Sequence, residues 1–250
     1  MSLPHWLEAL LPGETAVIWE AVAPLVPAEA YLGGGTAIAV HLRHRPSRDL
    51  DFFFHDDTVD LDHLTDRLRA HGTFAVTQRA PGTLNGVFGE TRLQFLHAGL
   101  ARPERRLEPT TLVGGLEIAG LGDLLAMKLN AIAGRAQLRD YFDLMTIERQ
   151  GGRTIEEGLG LFIARYQPEH EDSAITPILL ALGHLDDVGD DPFLPVEREA
   201  IVRYWQQRQP ELVVAVERYG ISRPAPLEPP EHGDNPRSRR REPPARELDW

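Results

Sequence analysis

Tyr31-Leu32-Gly33-Gly34-Gly35-Thr36 is followed, one short stretch later, by Asp49-Leu50-Asp51-Phe52-Phe53-Phe54. Read as a strand, Asp49 to Phe54 alternates its side chains, so Asp49 and Asp51 share one face while Leu50 and Phe52 point into the core. Two carboxylates side by side repel each other as bare anions, and a divalent cation between them removes the repulsion. Hard oxygen ligands at this spacing suit Mg²⁺ carrying substrate phosphates, with Mn²⁺ as the other candidate. Upstream, Gly33, Gly34 and Gly35 let the backbone come close to a phosphate, and Thr36 opens a helix whose N-terminal amides face it. Ile38, Ala39 and Leu42 recur at helical spacing and carry that helix from Thr36 to Arg43. A glycine-rich turn, a helix and an acid-apolar-acid strand, in this order, point to nucleotidyl transfer.

A second block lies at residues 121 to 149, which read as one helix. Lys128, Arg135, Arg139 and Asp143 recur along it at spacings of seven, four and four, which puts them on one stripe. Leu121, Leu125 and Ile132 fall near the same stripe, so these charges point toward packed protein. Charges embedded in an apolar stripe need partners, and a triphosphate is one. The plainer alternative is a solvated amphipathic helix with Arg139 and Asp143 as an ordinary surface pair. Lys128 is the single lysine of the chain, every other basic position being arginine. A compact ammonium on a flexible stem does what a planar guanidinium does poorly, and its role is read as charge stabilisation on nucleotide phosphates.

The run from Gly33 through His44, Arg45, Ser47, Arg48, Asp49 and Asp51 to Phe53 resembles the AbiEii/AbiGii toxin family, a branch of the polymerase-beta-like nucleotidyltransferase superfamily. The Lys128 to Asp143 block is similar to that family's second signature, a lysine, an arginine and then Arg/Lys-Asp-x-x-Asp-Leu, with Lys128, Arg135, Arg139, Asp140 and Asp143 in those places. The resemblance covers roughly residues 30 to 150. It implies a nucleotide site formed by Gly33, Gly34, Gly35, Thr36, Ser47, Arg48, Lys128, Arg135 and Arg139, a metal site at Asp49 and Asp51, and catalytic roles for Asp49, Asp51, Lys128, Asp140 and Asp143. Asp140 and Asp143 stand either as base or as positioners of Arg139. It also implies an NTP substrate, an RNA acceptor such as tRNA, and a cognate AbiEi-like antitoxin.

One departure from the superfamily pattern matters. A third carboxylate is expected on a neighbouring strand, and here that strand reads Arg92-Leu93-Gln94-Phe95-Leu96, with Gln94 in its place. An amide oxygen can coordinate a cation but adds no charge, which weakens a second metal site.

Composition bounds the rest. The chain has 250 residues, no cysteine and a formal net charge of −12. Disulfides and thiolate zinc sites are excluded, and broad nonspecific nucleic-acid binding is disfavoured. No apolar run approaches a membrane span and Met1 to Gly13 lacks the features of a signal peptide, so the expectation is a bacterial cytoplasmic protein with no membrane partner. Basic groups cluster at His41, Arg43, His44, Arg45 and Arg48, and again at Arg102, Arg105 and Arg106. Either cluster suits phosphates, and His41 and His44 are read as surface groups rather than metal ligands.

The pattern of elements is α+β, a mixed-sheet nucleotidyltransferase core followed by a helical C-terminal half. Helices are expected within 4–25, 36–43, 61–71, 121–149, 154–166, 174–185 and 195–218. Strands are expected at 28–32, 49–54, 74–79, 83–88, 92–97 and 116–119. This divides the chain into a core with N-terminal helices at 1–120, a helical domain completing the cleft at 121–221, and a disordered Pro- and Arg-rich tail at 222–250. The function these readings favour is a Mg²⁺-dependent nucleotidyltransferase, the toxin half of a type IV toxin–antitoxin pair. The alternatives are a small-molecule nucleotidyltransferase of the aminoglycoside-modifying type, or a non-catalytic nucleotide-binding interaction protein.

Overall fold

The computed structural model describes residues 3–100 and 104–221; the tail read as disordered and Arg102 lie outside them. Two short helices, α1 (His5–Glu8) and α2 (Thr15–Val22), precede β1 (Tyr31–Gly33), α3 (Gly34–Leu42), β2 (Leu50–Phe54) and α4 (Leu61–His71). Strands β3 (Phe74–Ala80), β4 (Thr83–Phe88), β5 (Thr91–His97), β6 (Thr111–Val113) and β7 (Leu116–Ile118) follow. The chain then turns helical through α5 (Leu121–Gly134), α6 (Leu138–Gln150), α7 (Ile155–Tyr166), α8 (Glu171–Gly183) and α9 (Arg198–Tyr219). None of these helices is long and apolar enough to cross a membrane.

The strands form one mixed sheet in the order β3-β4-β5-β2-β1-β7-β6. β2 runs parallel to β5 and β1 parallel to β7, while the other pairs are antiparallel. The expected α+β class is what the chain adopts. β2 alternates as its sequence requires: Leu50, Phe52 and Phe54 are buried and Asp51 and Phe53 face the other way. Phe52 stacks on Phe95 of β5 at 4.8 Å, with Leu93 buried beside it. Burying such side chains stabilises by about 1.5–3 kcal/mol each, which fixes the register. A slip of one residue would bring Asp51 into the core and Phe52 out of it.

The expected single helix over 121–149 is two helices. α5 stops at Gly134, Arg135 is extended (φ −146°, ψ 102°), and α6 restarts behind a capping box in which Gln137 and Asp140 satisfy each other's backbone amides. Glycine weakens the helix at the break and the reciprocal caps reward a new start. The β6 strand was also absent from the sequence pattern; three residues with mostly exposed side chains leave no alternation to read.

A buried ionic cluster ties the helical half to the sheet. Arg165 of α7 has no exposed surface and donates to Asp123 of α5, to Glu104 at 2.5 Å and to the Tyr31 hydroxyl at 2.8 Å. Asp123 accepts from the amides of Leu107 and Glu108 at 2.8–3.1 Å. β1 is thereby anchored at its start, two residues before the glycines.

Candidate active site

The site is built where β1 and β2 pair. Gly33 lies opposite Asp51 on β2, and Asp51 lies opposite Gln94 on β5. Gln94 therefore occupies the expected third position, beside Asp51 and on its face of the sheet. β1 passes directly into α3: Gly33 is extended and Gly34, the first helical residue, has φ +64°, a conformation that costs a non-glycine residue of order 1 kcal/mol or more. Each glycine also leaves room for a neighbour. A Cβ at Gly34 would collide with the Asp51 carboxylate, one at Gly35 would come within 2.5 Å of Arg45 Nη2, and one at Gly33 within 2.7 Å of the Phe53 ring. The glycines are demanded first by the protein's own side chains, and the close approach leaves the opening amides of α3 uncovered by any Cβ.

No hydrogen bond or ion pair among the described residues reaches the side chains of Asp49 and Asp51. Burial and the neighbouring Asp49 push the Asp51 carboxyl up to about 6, against the opposing pull of Lys128, Arg139 and Arg135. The three cations singled out by their spacing thus all act on Asp51, although the helix expected to carry them is broken. Arg135 reaches the site from the loop and Arg139 from α6, where its Nε donates to Gln137 Oε1 at 2.8 Å. Two carboxylates facing each other without a protein cation bonded between them form a donor set that fits a hard divalent ion. Among the described residues no group of three or more His, Asp or Glu side chains could hold such an ion alone. Any ion here would take its remaining ligands from water and substrate oxygens.

Behind this pair stands a fully buried carboxylate, Asp143. It accepts two bonds from Arg45, from Nε at 2.7 Å and Nη2 at 2.8 Å, and one from His44 Nε2 at 2.7 Å. Lys128 Nζ lies 2.9 Å from its Oδ2 and 2.6 Å from Asp140. Burial alone would raise the Asp143 carboxyl, but Lys128, Arg45 and the His44 bond overcome it and hold it far below the usual carboxylate range. Burial likewise works to lower the Lys128 ammonium, and Asp143 and Asp140 outweigh it. These surroundings overturn the reading of Asp143 as a base: it has no exposed surface, its oxygens are taken, and it resists protonation. Nor does it hold Arg139. Asp140 has its oxygens on Lys128 and on the Gln137 amide at 3.1 Å. Both acids thus contact Lys128 rather than Arg139.

Other expected residues need reassignment. The Thr36 hydroxyl is buried, donates to the Asp49 carbonyl at 2.5 Å and stands 2.7 Å from the Ser47 hydroxyl. The Thr36 hydroxyl thus pins the approach to β2 and is committed to the protein's own backbone. Arg48 is exposed and leans on Phe193, its guanidinium 5.7 Å from the ring centre. His41 reaches the Ala119 carbonyl at 2.8 Å. Of the second basic cluster, Arg105 donates to the Ala164 carbonyl and Arg106 stands over Tyr31. His44 and Arg45, read as parts of a basic surface, are the residues the sequence undervalued: the His44 side chain is 1% exposed and that of Arg45 8%. Their one visible signal is position, immediately after the left-handed Arg43 (φ 52°) that ends α3.

The sequence as a whole agrees with this geometry. The chain belongs to the nucleotidyl transferase AbiEii toxin family of type IV toxin–antitoxin systems, whose model matches residues 18–237, and is thereby a nucleotidyltransferase. It is 29% identical over 185 residues to an uncharacterized protein of Aquifex aeolicus, a match covering 71% of this chain and 81% of that protein. Among solved structures it is similar to MenT4, the nucleotidyltransferase toxin Rv2826c of Mycobacterium tuberculosis H37Rv. The identity there is 19%, over 83% of this chain and 88% of that one, with a TM-score of 0.45. It is also similar to JHP933 of Helicobacter pylori, at 17% identity over 86% and 98% of the two chains, with a TM-score of 0.45.

Two outcomes follow from the electrostatics. A folded carboxyl raised to about 6 ionises at a cost, so without metal the fold loses stability as pH climbs from about 4, where an unfolded Asp ionises, toward 6. Asp51→Asn should remove that loss, stabilising the metal-free protein near neutral pH by up to about 3 kcal/mol. Urea unfolding in the presence of a chelator measures it, and an unchanged or lowered midpoint would contradict the assignment.

Asp143 has the opposite sign: its stabilisation is present above about pH 4 and is lost only in stronger acid. Asp143→Ala leaves Arg45 and Lys128 without their shared partner and should cost about 3–5 kcal/mol. Asp143→Glu, which keeps the charge, should recover part of that in the same thermal or denaturant melts.

Proposed function

We propose that the protein transfers a nucleotide from an NTP to an RNA acceptor such as tRNA, in a Mg²⁺-dependent reaction in the bacterial cytoplasm, and that an AbiEi-like antitoxin restrains it. The observation carrying this reading is the unbonded Asp49–Asp51 pair beside Gly33–Gly35, faced by Lys128, Arg135 and Arg139. Asp49 and Asp51 would hold the cation, which supplies charge neutralisation on the triphosphate and polarises the α-phosphorus.

The remaining work belongs to the chain's own groups. Amides at the start of α3 lack intrahelical partners and suit phosphate oxygens. Arg135 and Arg139 bring guanidinium groups to the β- and γ-phosphates. Lys128 keeps its charge because Asp140 and Asp143 hold it, and it stabilises negative charge as it builds on the bridging oxygen. The acceptor hydroxyl attacks the α-phosphorus; the new O–P bond forms as the bond to the β-phosphate oxygen breaks and pyrophosphate leaves. The acceptor hydroxyl gives up its proton to solvent as the new bond forms.

Incubation with each labelled NTP, Mg²⁺ and total RNA should place label in RNA. The folded Asp49→Asn/Asp51→Asn double variant should lose it, and wild-type transfer by that variant would refute the metal assignment.

Gln94 sets a second expectation. With an amide beside Asp51 where a third acid would stand, the site lacks one charge for hard cations. Gln94→Asp should lower the Mg²⁺ concentration giving half-maximal transfer. A metal titration that is superimposable on wild type, with the variant folded, would mean that Gln94 does not face the ion.

A further inference from the structure

The loop between α8 and α9 presents Phe193 to solvent at 79% exposure, the highest of the exposed large hydrophobic side chains among the described residues. This is not a fraying segment. The Phe193 amide donates to Asp191 Oδ1 at 3.1 Å and the Leu194 amide to the Asp191 carbonyl at 3.2 Å. Arg198 of α9 clasps the loop from behind, donating to the carbonyls of Leu185, at 2.6 Å, and Val188, and pairing with Asp190 at 3.2 Å. Pro192 and Pro195 restrict the backbone on either side. An aromatic ring is thus held out in water by a pinned turn.

What the ring faces gives it a use. Arg48, exposed and in no hydrogen bond or ion pair among the described residues, lies with its guanidinium 5.7 Å from the ring centre. It immediately precedes Asp49. The ring therefore faces the segment that leads into the carboxylate pair, and Asp191 of the same loop acts electrostatically on Arg45. The cations that act on Asp51 include Lys128, Arg139 and Arg135, whereas Arg48 faces the Phe193 ring.

We propose that Phe193 and Arg48 form a platform for an unpaired nucleotide of a single-stranded RNA acceptor, the base stacked on the Phe193 ring and its phosphate on Arg48. The proposal rests on the reading of the Asp49–Asp51 pair as a transfer site with an RNA acceptor. A ring and a neighbouring cation suffice for such binding, because every base has a π-face and every nucleotide a phosphate. A single exposed ring beside an arginine is too small for the apolar centre of a protein interface.

The test uses the full chain and a single-stranded oligoribonucleotide carrying 2-aminopurine, whose fluorescence falls on stacking. Phe193→Ala should weaken oligonucleotide binding by about tenfold, the effect of losing one base stack, and abolish the fluorescence change. Phe193→Trp should restore both. Arg48→Ala should reduce the salt dependence of binding by roughly one phosphate contact. NTP affinity, titrated separately, should be the same in Phe193→Ala as in wild type.

Unchanged oligonucleotide affinity in Phe193→Ala would overturn the platform, as would a wild type that transfers nucleotides yet does not bind the probe. A loss confined to NTP affinity would also overturn it, assigning the ring to the incoming base. Phe193-dependent probe binding without transfer from any NTP would instead refute the transfer reading alone.

Discussion

The buried carboxylate of Asp143 is the constraint on which the rest of this site depends. An isolated anion without solvent access is prohibitively costly, and here the cost is met by Arg45, His44 and Lys128 together. Those partners come from two parts of the chain, the segment after α3 and the middle of α5, and Asp143 brings α6 to them. Satisfying one charge therefore fixes the approach to β2 relative to both helices. The Thr36 hydroxyl then fixes the Asp49 carbonyl from the other side. Asp49 and Asp51 are placed by a network in which neither carboxylate takes part, which leaves both carboxylates free for a ligand.

The same network explains an electrostatic balance. Asp49, Asp51, Asp140 and Asp143 meet Lys128, Arg45, Arg135 and Arg139 in one region. With equal numbers of each sign, the protein alone is close to neutral there. A triphosphate brings several further negative charges, and the protein holds no surplus to absorb them. This favours nucleotide arriving with a divalent cation and disfavours bare nucleotide. The raised Asp51 carboxyl marks the place where that balance is locally worst.

The fold and the inner site were legible in the sequence to different depths. Leu50, Phe52 and Phe54 alternate with Asp51 on a strand buried on one face, so period and composition agreed and the register could be read, including Gln94 beside Asp51. The break between α5 and α6 was not legible as a break. Gly134 and the Gln137–Asp140 capping box are local signals, but they sit inside an apolar rhythm that continues across them. His44 and Arg45 were misread for a different reason. A basic residue next to other basic residues looks solvated, and only the partner nearly a hundred positions away reveals that it is buried. Long-range ion pairs leave no period in a single sequence. The carboxylates of Asp140 and Asp143 were found by motif, but their duty to Lys128 became visible only with distances.

Lys128 draws these threads together. Its ammonium makes bonds of 2.6 Å and 2.9 Å to two carboxylates on the same face of α6, a geometry open to a compact, rotatable group with three protons. A guanidinium needs a planar, wider slot, and Arg45 already fills the bidentate position on Asp143. The ammonium donates one hydrogen bond to Asp140 and pairs with Asp143, and its field still reaches Asp51. In a chain that chooses arginine at every other basic position, lysine stands where one compact cation is held between two acids.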